Sequence, residues 1–233
     1  MNTVSSLLEQ LAAAFPLRTL EVTLASRTIS LKTARDIDAL LDGISAEQFR
    51  VDERLPYWAE LWHSAVALSL MLEEQPMLVA GRRVLELGCG LGLPGIVAAQ
   101  LGARVTMSDF DEVALVAAEL NLRTNAPDAE VHVLPLDFRM PPSETWDVLI
   151  AADVIYERRF IDPLIGCIDA CLSDQGRLYL AEPNRQIATE FFDRLAVRGF
   201  RDEVRSITAF LHQRSVEVSI HTISRTHANR RMS

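Results

Sequence analysis

The sequence predicts an α/β fold in which a mostly parallel sheet carries helices on both faces, preceded by a smaller α+β extension. Three observations predict it. From residue 82 to residue 197, short apolar runs alternate with segments of helical period, the order that builds a parallel sheet with crossover helices. The first run ends in V-L-E-L-G-C-G-L-G-L-P-G, residues 84–95, with glycines at 88, 90, 92 and 95. A strand that turns through glycines into a helix makes a nucleotide-type ligand site, because glycine accepts positive φ and permits close approach. The last two runs, 201–210 and 215–223, are separated only by the turn L-H-Q-R and must pair antiparallel. One edge strand is therefore expected to run against the rest.

The elements follow in order. Residues 5–14 carry Leu7, Leu8, Leu11 and Phe15 at helical spacing. Residues 20–24 and 28–31 alternate around a small turn and read as a β-hairpin. Residues 34–41 return to helical period with Ile37, Leu40, Leu41 and Ile44. No linker, repeat or composition shift marks a second domain. Residues 1–55 therefore read as an extension packed on a main domain of residues 56–224, and the basic residues 225–233 as a flexible tail. Pro56 opens P-Y-W-A-E-L-W-H-S-A, expected as a helix running to Glu74 with Trp58 and Trp62 on one face. Strands are expected at 82–86, 104–108, 130–134, 146–151 and 176–181. Helices are expected at 94–101, with Pro94 in the first turn, and at 112–124, 159–171 and 186–197.

Composition narrows the function. The 233 residues suffice for one full core, and 49% hydrophobic with 24% charged content is ordinary for a globular chain. No apolar run approaches the roughly 18 residues that span a bilayer. The N-terminus lacks the basic start and cleavage site of a signal peptide, so the cytoplasm is expected. A net charge of −9 argues against a general nucleic-acid binder and suits a cationic substrate better. Three cysteines, Cys89, Cys167 and Cys171, make no disulfide framework. Cys167 and Cys171 share a helical face, but no further Cys/His pair completes a metal site. The five histidines lack ligand spacing, and no metal is expected.

Two registers of the glycine loop compete. Gly90, Gly92 and Gly95 spell G-x-G-x-x-G, the dinucleotide fingerprint, with Asp109 about 20 residues on. Glu86, Gly88, Gly90 and Gly92 spell acidic-x-G-x-G-x-G. The dinucleotide pattern begins directly at a strand end, whereas here residues 86–89 intervene. A carboxylate beside a pyrophosphate is repelled, by about 1–4 kcal/mol at ~4 Å. The same carboxylate suits a cation.

The second register resembles the first motif of class I S-adenosylmethionine-dependent methyltransferases. The resemblance implies a doubly wound, mostly parallel seven-stranded Rossmann-like sheet closed by an antiparallel C-terminal hairpin strand. It implies S-adenosylmethionine as cofactor, leaving as S-adenosylhomocysteine. It places Glu86, Gly88, Gly90 and Gly92 at the cofactor, Asp109 on the ribose hydroxyls with Phe110 beside it, and Asp137-Phe138 at the adenine. There the Asp137 carboxylate would take the exocyclic amine. Trp62 and Ala152 complete the cofactor set. An NAD(P) oxidoreductase and a noncatalytic binding protein are the readings from other classes.

Asp153-Val154-Ile155-Tyr156 follows the fourth alternating strand, and Trp62-His63-Ser64-Ala65 lies upstream. Together these resemble the seven-strand lysine methyltransferase family 16 group, over residues 56–185. That group acts on chaperones, elongation factors and the electron-transfer flavoprotein β subunit. His63 departs from the group, where proline is common. The resemblance implies a protein-lysine acceptor, with a nicotinamide-like small-molecule amine as the alternative; from charge and hydropathy, neither nucleic acid nor membrane is expected as partner. Lysine, with a pKa of about 10.4, offers roughly one free base in a thousand near neutral pH. Asp153 is expected to position the incoming ammonium, and Tyr156 to shape the slot or stack on it. Glu182-Pro183-Asn184-Arg185 falls at a strand end, either lining the substrate mouth or forming a simple turn.

Overall fold

The computed structural model describes residues 3–42, 56–130 and 132–226. Ile44, the junction at residues 55 and 56, and the tail beyond Thr226 fall wholly or partly outside them. Helix α1 (Val4–Ala14) leads into the hairpin β1 (Leu17–Thr23) and β2 (Thr28–Ala34), then α2 (Ile37–Asp42). After a single 3-10 turn at Tyr57–Ala59 come α3 (His63–Glu74), β3 (Arg83–Leu87), α4 (Leu93–Gln100), β4 (Arg104–Asp109) and α5 (Glu112–Asn125). The chain continues through β5 (His132–Pro135), β6 (Trp146–Ala152), α6 (Ile161–Cys171), β7 (Leu172–Glu182), α7 (Gln186–Val197), β8 (Phe200–Leu211) and β9 (Arg214–Arg225).

Seven strands form one sheet in the order β5-β4-β3-β6-β7-β9-β8, and only β9 runs against the others. The reversed strand is therefore not at the edge. Helix α7 is a crossover that starts β8 in the same direction as β7, but one strand position away. β9 then returns through the His212-Gln213 turn, where φ is 51° and 62°, into the gap between them. Burial agrees: Val218, Ser219, Ile220 and His221 of β9 are all buried, whereas β8 presents exposed Arg201, Asp202 and Glu203, as a protected edge does. Arg225 belongs to β9 rather than to a tail, and its guanidinium binds Asp169 and the Leu172 carbonyl.

Two cores flank the sheet. Leu68 and Leu72 of α3, Ile96 of α4 and Leu120 of α5 pack on one face together with Leu7, Leu11, Ile29 and Leu31 of the extension. Leu164 and Ile168 of α6 and Phe191 of α7 pack on the other. The hairpin is bound by more than apolar contact. The Asn125 amide takes the Ser30 N–H at 2.9 Å and gives to its carbonyl at 2.8 Å. Asn121, one turn earlier, does the same for Lys32 at 2.7 and 3.2 Å. Two helix asparagines thus stand in for a neighbouring strand.

The helix expected from Pro56 does not form as one piece. After the 3-10 turn, Glu60 is extended, with φ −103° and ψ 143°, and Trp62 caps α3 from extended backbone. The two tryptophans therefore diverge. Trp58 packs on Phe15 with ring centres 5.8 Å apart, while the Trp62 indole N–H donates to the Tyr57 carbonyl at 3.1 Å. No helix among the described residues is long and apolar enough to cross a membrane.

Candidate active site

The carboxyl ends of β3, β4 and β6 and the segment after β5 open onto one cleft. This is where open α/β sheets place ligands, because strand-end loops diverge there. Every residue expected at the cofactor lines it, as do Asp153 and Tyr156, whereas residues 182–185, offered as a substrate mouth or a simple turn, are not part of its lining.

The glycine loop shapes its floor. Gly88 has φ 62°, and a Cβ there would lie 2.9 Å from Val154 Cγ1. Gly90 has φ 51°, with its Cα side pressed on the Trp58 backbone, and its N–H donates to Asp109 Oδ2 at 2.9 Å. The Asp111 N–H donates to Asp109 Oδ1 at 3.0 Å, and Asp111 in turn caps α5. Desolvation raises the Asp109 pKa, and these backbone donors offset part of the rise.

Glu86 is buried at the end of β3. Desolvation holds its pKa well above the usual carboxylate range; the Gly95 N–H opposes this and the Asp109 charge adds to it. Its Oε2 has no hydrogen-bond partner among the described residues. A Cβ on Gly95 would sit 2.3 Å from that oxygen and 2.7 Å from Met107 Cε. Gly95 therefore makes room for the Glu86 carboxylate, and in doing so completes a G-x-G-x-x-G spelling. An under-bonded buried carboxylate, a second carboxylate held by backbone N–H groups and an acidic rim fit a cationic nucleoside and disfavour a pyrophosphate.

Around the cleft, Phe110 is exposed at the rim. Phe138 packs against the second core, and Ala152 ends β6. Asp137 is less available than the sequence suggests. Arg139 Nε lies 2.9 Å from both of its oxygens, and the Arg139 N–H donates to Oδ1 at 2.9 Å. The guanidinium holds the carboxylate expected to meet an adenine amine.

Asp153 is likewise engaged. Its backbone is left-handed, with φ 59°, and its N–H donates to the Ala181 carbonyl at 2.9 Å. Arg185 donates to Oδ1 from Nε and Nη2 at 3.0 and 2.8 Å, and Ser64 Oγ donates to Oδ2 at 3.3 Å. The side chain is 7% exposed. The carboxylate expected to receive an ammonium already has its countercharge. Arg185 is itself anchored by its N–H to Glu182 Oε2 at 2.9 Å.

The remaining wall is aromatic. The Tyr57 ring meets Tyr156 edge-on at 5.5 Å and Trp62 at 6.3 Å. Tyr57 and Glu60 are the residues that sequence reasoning passed over, and Arg185, read there only as part of a strand-end segment, is the partner of Asp153 that it did not foresee. The signal for the first two was the aromatic and acidic crowding of Y-W-A-E-L-W, which is a wasteful helix but a serviceable wall. The W-x-S-A serine carries a second signal, because it is the group that reaches Asp153. No cluster of metal-ligating side chains occurs among the described residues.

A family model described as lysine methyltransferase matches residues 52–198. The electron transfer flavoprotein beta subunit lysine methyltransferase of Danio rerio is 34% identical over 137 residues, covering 56% of this chain and 51% of that protein. The chain thus spans about half the length of that relative. The EEF1A lysine methyltransferase 3 of Mus musculus is 32% identical over 181 residues, covering 75% of this chain and 74% of that protein. Among solved structures, magnesium protoporphyrin IX methyltransferase from Synechocystis PCC 6803 with bound SAH matches with a TM-score of 0.55. That likeness, at 16% identity over 81% of this chain and 100% of the other, is one of fold.

Proposed function

The chain belongs to the lysine methyltransferase family, and from that membership we propose that it transfers a methyl group from S-adenosylmethionine to a lysine side chain of a protein. The observation that carries the cofactor assignment is Glu86: a buried carboxylate with an under-bonded oxygen, beneath the glycine loop and lining the cleft. When bound, S-adenosylmethionine supplies an electrophilic methyl on a cationic sulfur and leaves as neutral S-adenosylhomocysteine.

The residues of this chain supply binding and alignment. Glu86 meets the positive methionine end, and Asp109, steadied by Gly90 and Asp111, retains lone pairs for ribose hydroxyls. Gly88, Gly90 and Gly92 let the backbone approach, with Trp62, Phe110, Phe138 and Ala152 as walls. Asp137 reaches the adenine edge only in company with Arg139. Asp153 acts by holding Arg185 and Ser64 in place and so shaping the slot, and Tyr156 with Tyr57 forms its aromatic side. In-line displacement needs no acid, because the leaving sulfur is neutral, so orientation is the main contribution. The unpaired cysteines, all buried, support a reducing compartment such as the cytoplasm.

The test has two arms. S-adenosylhomocysteine should raise the melting temperature and NAD should not; the reverse overturns the cofactor assignment. Incubation of a cell lysate with methyl-labelled S-adenosylmethionine, followed by acid hydrolysis, should yield labelled methyl-lysine. Label confined to small molecules would move the acceptor to a free amine.

A further inference from the structure

Two carboxylates near the aromatic wall differ in what they have left to give. Asp153 is matched by the Arg185 fork and by Ser64. Glu60 is half-buried in the extended stretch before α3, and among the described residues no hydrogen bond or ion pair engages its carboxylate. Its position is nevertheless set. The buried Thr33 hydroxyl of β2 donates to the Ala59 carbonyl, the Trp62 indole N–H donates to the Tyr57 carbonyl, and Gly90 packs on the Trp58 backbone. Glu60 also faces two spaces. With Tyr57 and Trp62 it lines both the main cleft and a second, open cavity that reaches Arg18 and Arg35 of the extension.

We propose that Glu60 is the carboxylate that receives the ammonium of the acceptor lysine, beside the rings of Tyr57, Trp62 and Tyr156, and that the second cavity takes the polypeptide flanking that lysine. The inference rests on the methyltransferase reading above. A desolvated amine needs a countercharge to enter, and aromatic faces with one unmatched carboxylate supply it. Glu60 favours the charged amine, so it orders the acceptor rather than deprotonating it. The ammonium proton leaves to water, the nitrogen–methyl bond forms as the methyl–sulfur bond breaks, and the sulfur keeps the electron pair.

The probe is n-butylamine, a mimic of the lysine side-chain end, titrated by NMR into the full chain saturated with S-adenosylhomocysteine. The wild type should bind the amine and not 1-butanol. E60Q should bind it about tenfold more weakly, and E60D should fall between. S-adenosylhomocysteine affinity should be unchanged in both variants. Equal amine binding by wild type and E60Q, no amine binding by the wild type, or loss of S-adenosylhomocysteine affinity in E60Q each overturns the assignment. Failure of the wild type to bind S-adenosylhomocysteine instead overturns the function it rests on. With a protein acceptor, E60Q should raise KM more than it lowers kcat. It should also shift the rise of kcat with pH toward lower pH, because the bound amine loses a partner that favours its protonated form. An unshifted profile counts against the role.

Discussion

Glu86 and Gly95 depend on one another. The carboxylate stays beneath the loop because position 95 has no side chain, and the Gly95 N–H is a donor that acts on it. Gly95→Ala should therefore destabilise the protein by about 1–3 kcal/mol through overpacking against Glu86 and Met107, and should weaken S-adenosylhomocysteine binding. Denaturant unfolding together with calorimetry checks both, and unchanged stability would contradict the packing account. Because desolvation raises the folded-state pKa of Glu86, its contribution is fully present below the ordinary carboxylate range and is lost as pH rises through the folded value. Glu86→Gln removes that loss. The melting temperature of the ligand-free variant, relative to wild type, should climb as pH rises above the ordinary carboxylate range, while cofactor affinity falls. The loop motif was legible in the sequence because backbone turns and a strand-end carboxylate are local properties. The state of Asp153 was not: its partners Ser64 and Arg185 arrive from α3 and from the end of β7.

At the level of elements, β7, β8 and β9 meet at His221. Its Nδ1 lies 2.7 Å from Asp202 Oδ2 of β8, and its Nε2 lies 3.6 Å from Glu182 Oε1 of β7. The second distance is a charge contact rather than a hydrogen bond. The Phe192 ring of α7 stacks on the imidazole at 3.8 Å. Desolvation lowers the His221 pKa, but the two acidic neighbours outweigh it and the net shift is upward. The stabilising contribution is therefore complete below the ordinary histidine value and is lost as pH rises through the folded one. His221→Gln should cost about 1–3 kcal/mol in mild acid and less above neutrality, read from melting curves across that range. A deficit independent of pH would assign the effect to packing on Phe192. Strand and helix types were legible here from periodicity, but the place of β9 in the sheet was not. A hairpin dictates antiparallel pairing with its neighbour, whereas the gap it fills is made by the length and handedness of the α7 crossover.

Across the whole molecule, one side chain ties the extension to the glycine loop. Asn121 is fully buried, serves both backbone groups of Lys32, and also donates to the Leu91 carbonyl at 3.1 Å. Residues 3–42 are accordingly proposed as part of the transferase core rather than as an appendage. Asn121→Ala should cost about 2–4 kcal/mol, since it strands buried backbone polar groups, and should weaken S-adenosylhomocysteine binding through Leu91. A variant that melts lower yet binds with wild-type affinity would confine Asn121 to the fold. The order of elements, the parallel core and the cleft with its glycines and acidic strand ends were written in the chain. Each depends on periodicity or on residues close in sequence. Which carboxylate is already paired, which glycine makes room for Glu86 and how Trp58 and Trp62 diverge were settled only on folding. Those outcomes depend on groups from distant segments competing for the same partners, and no local pattern records who wins.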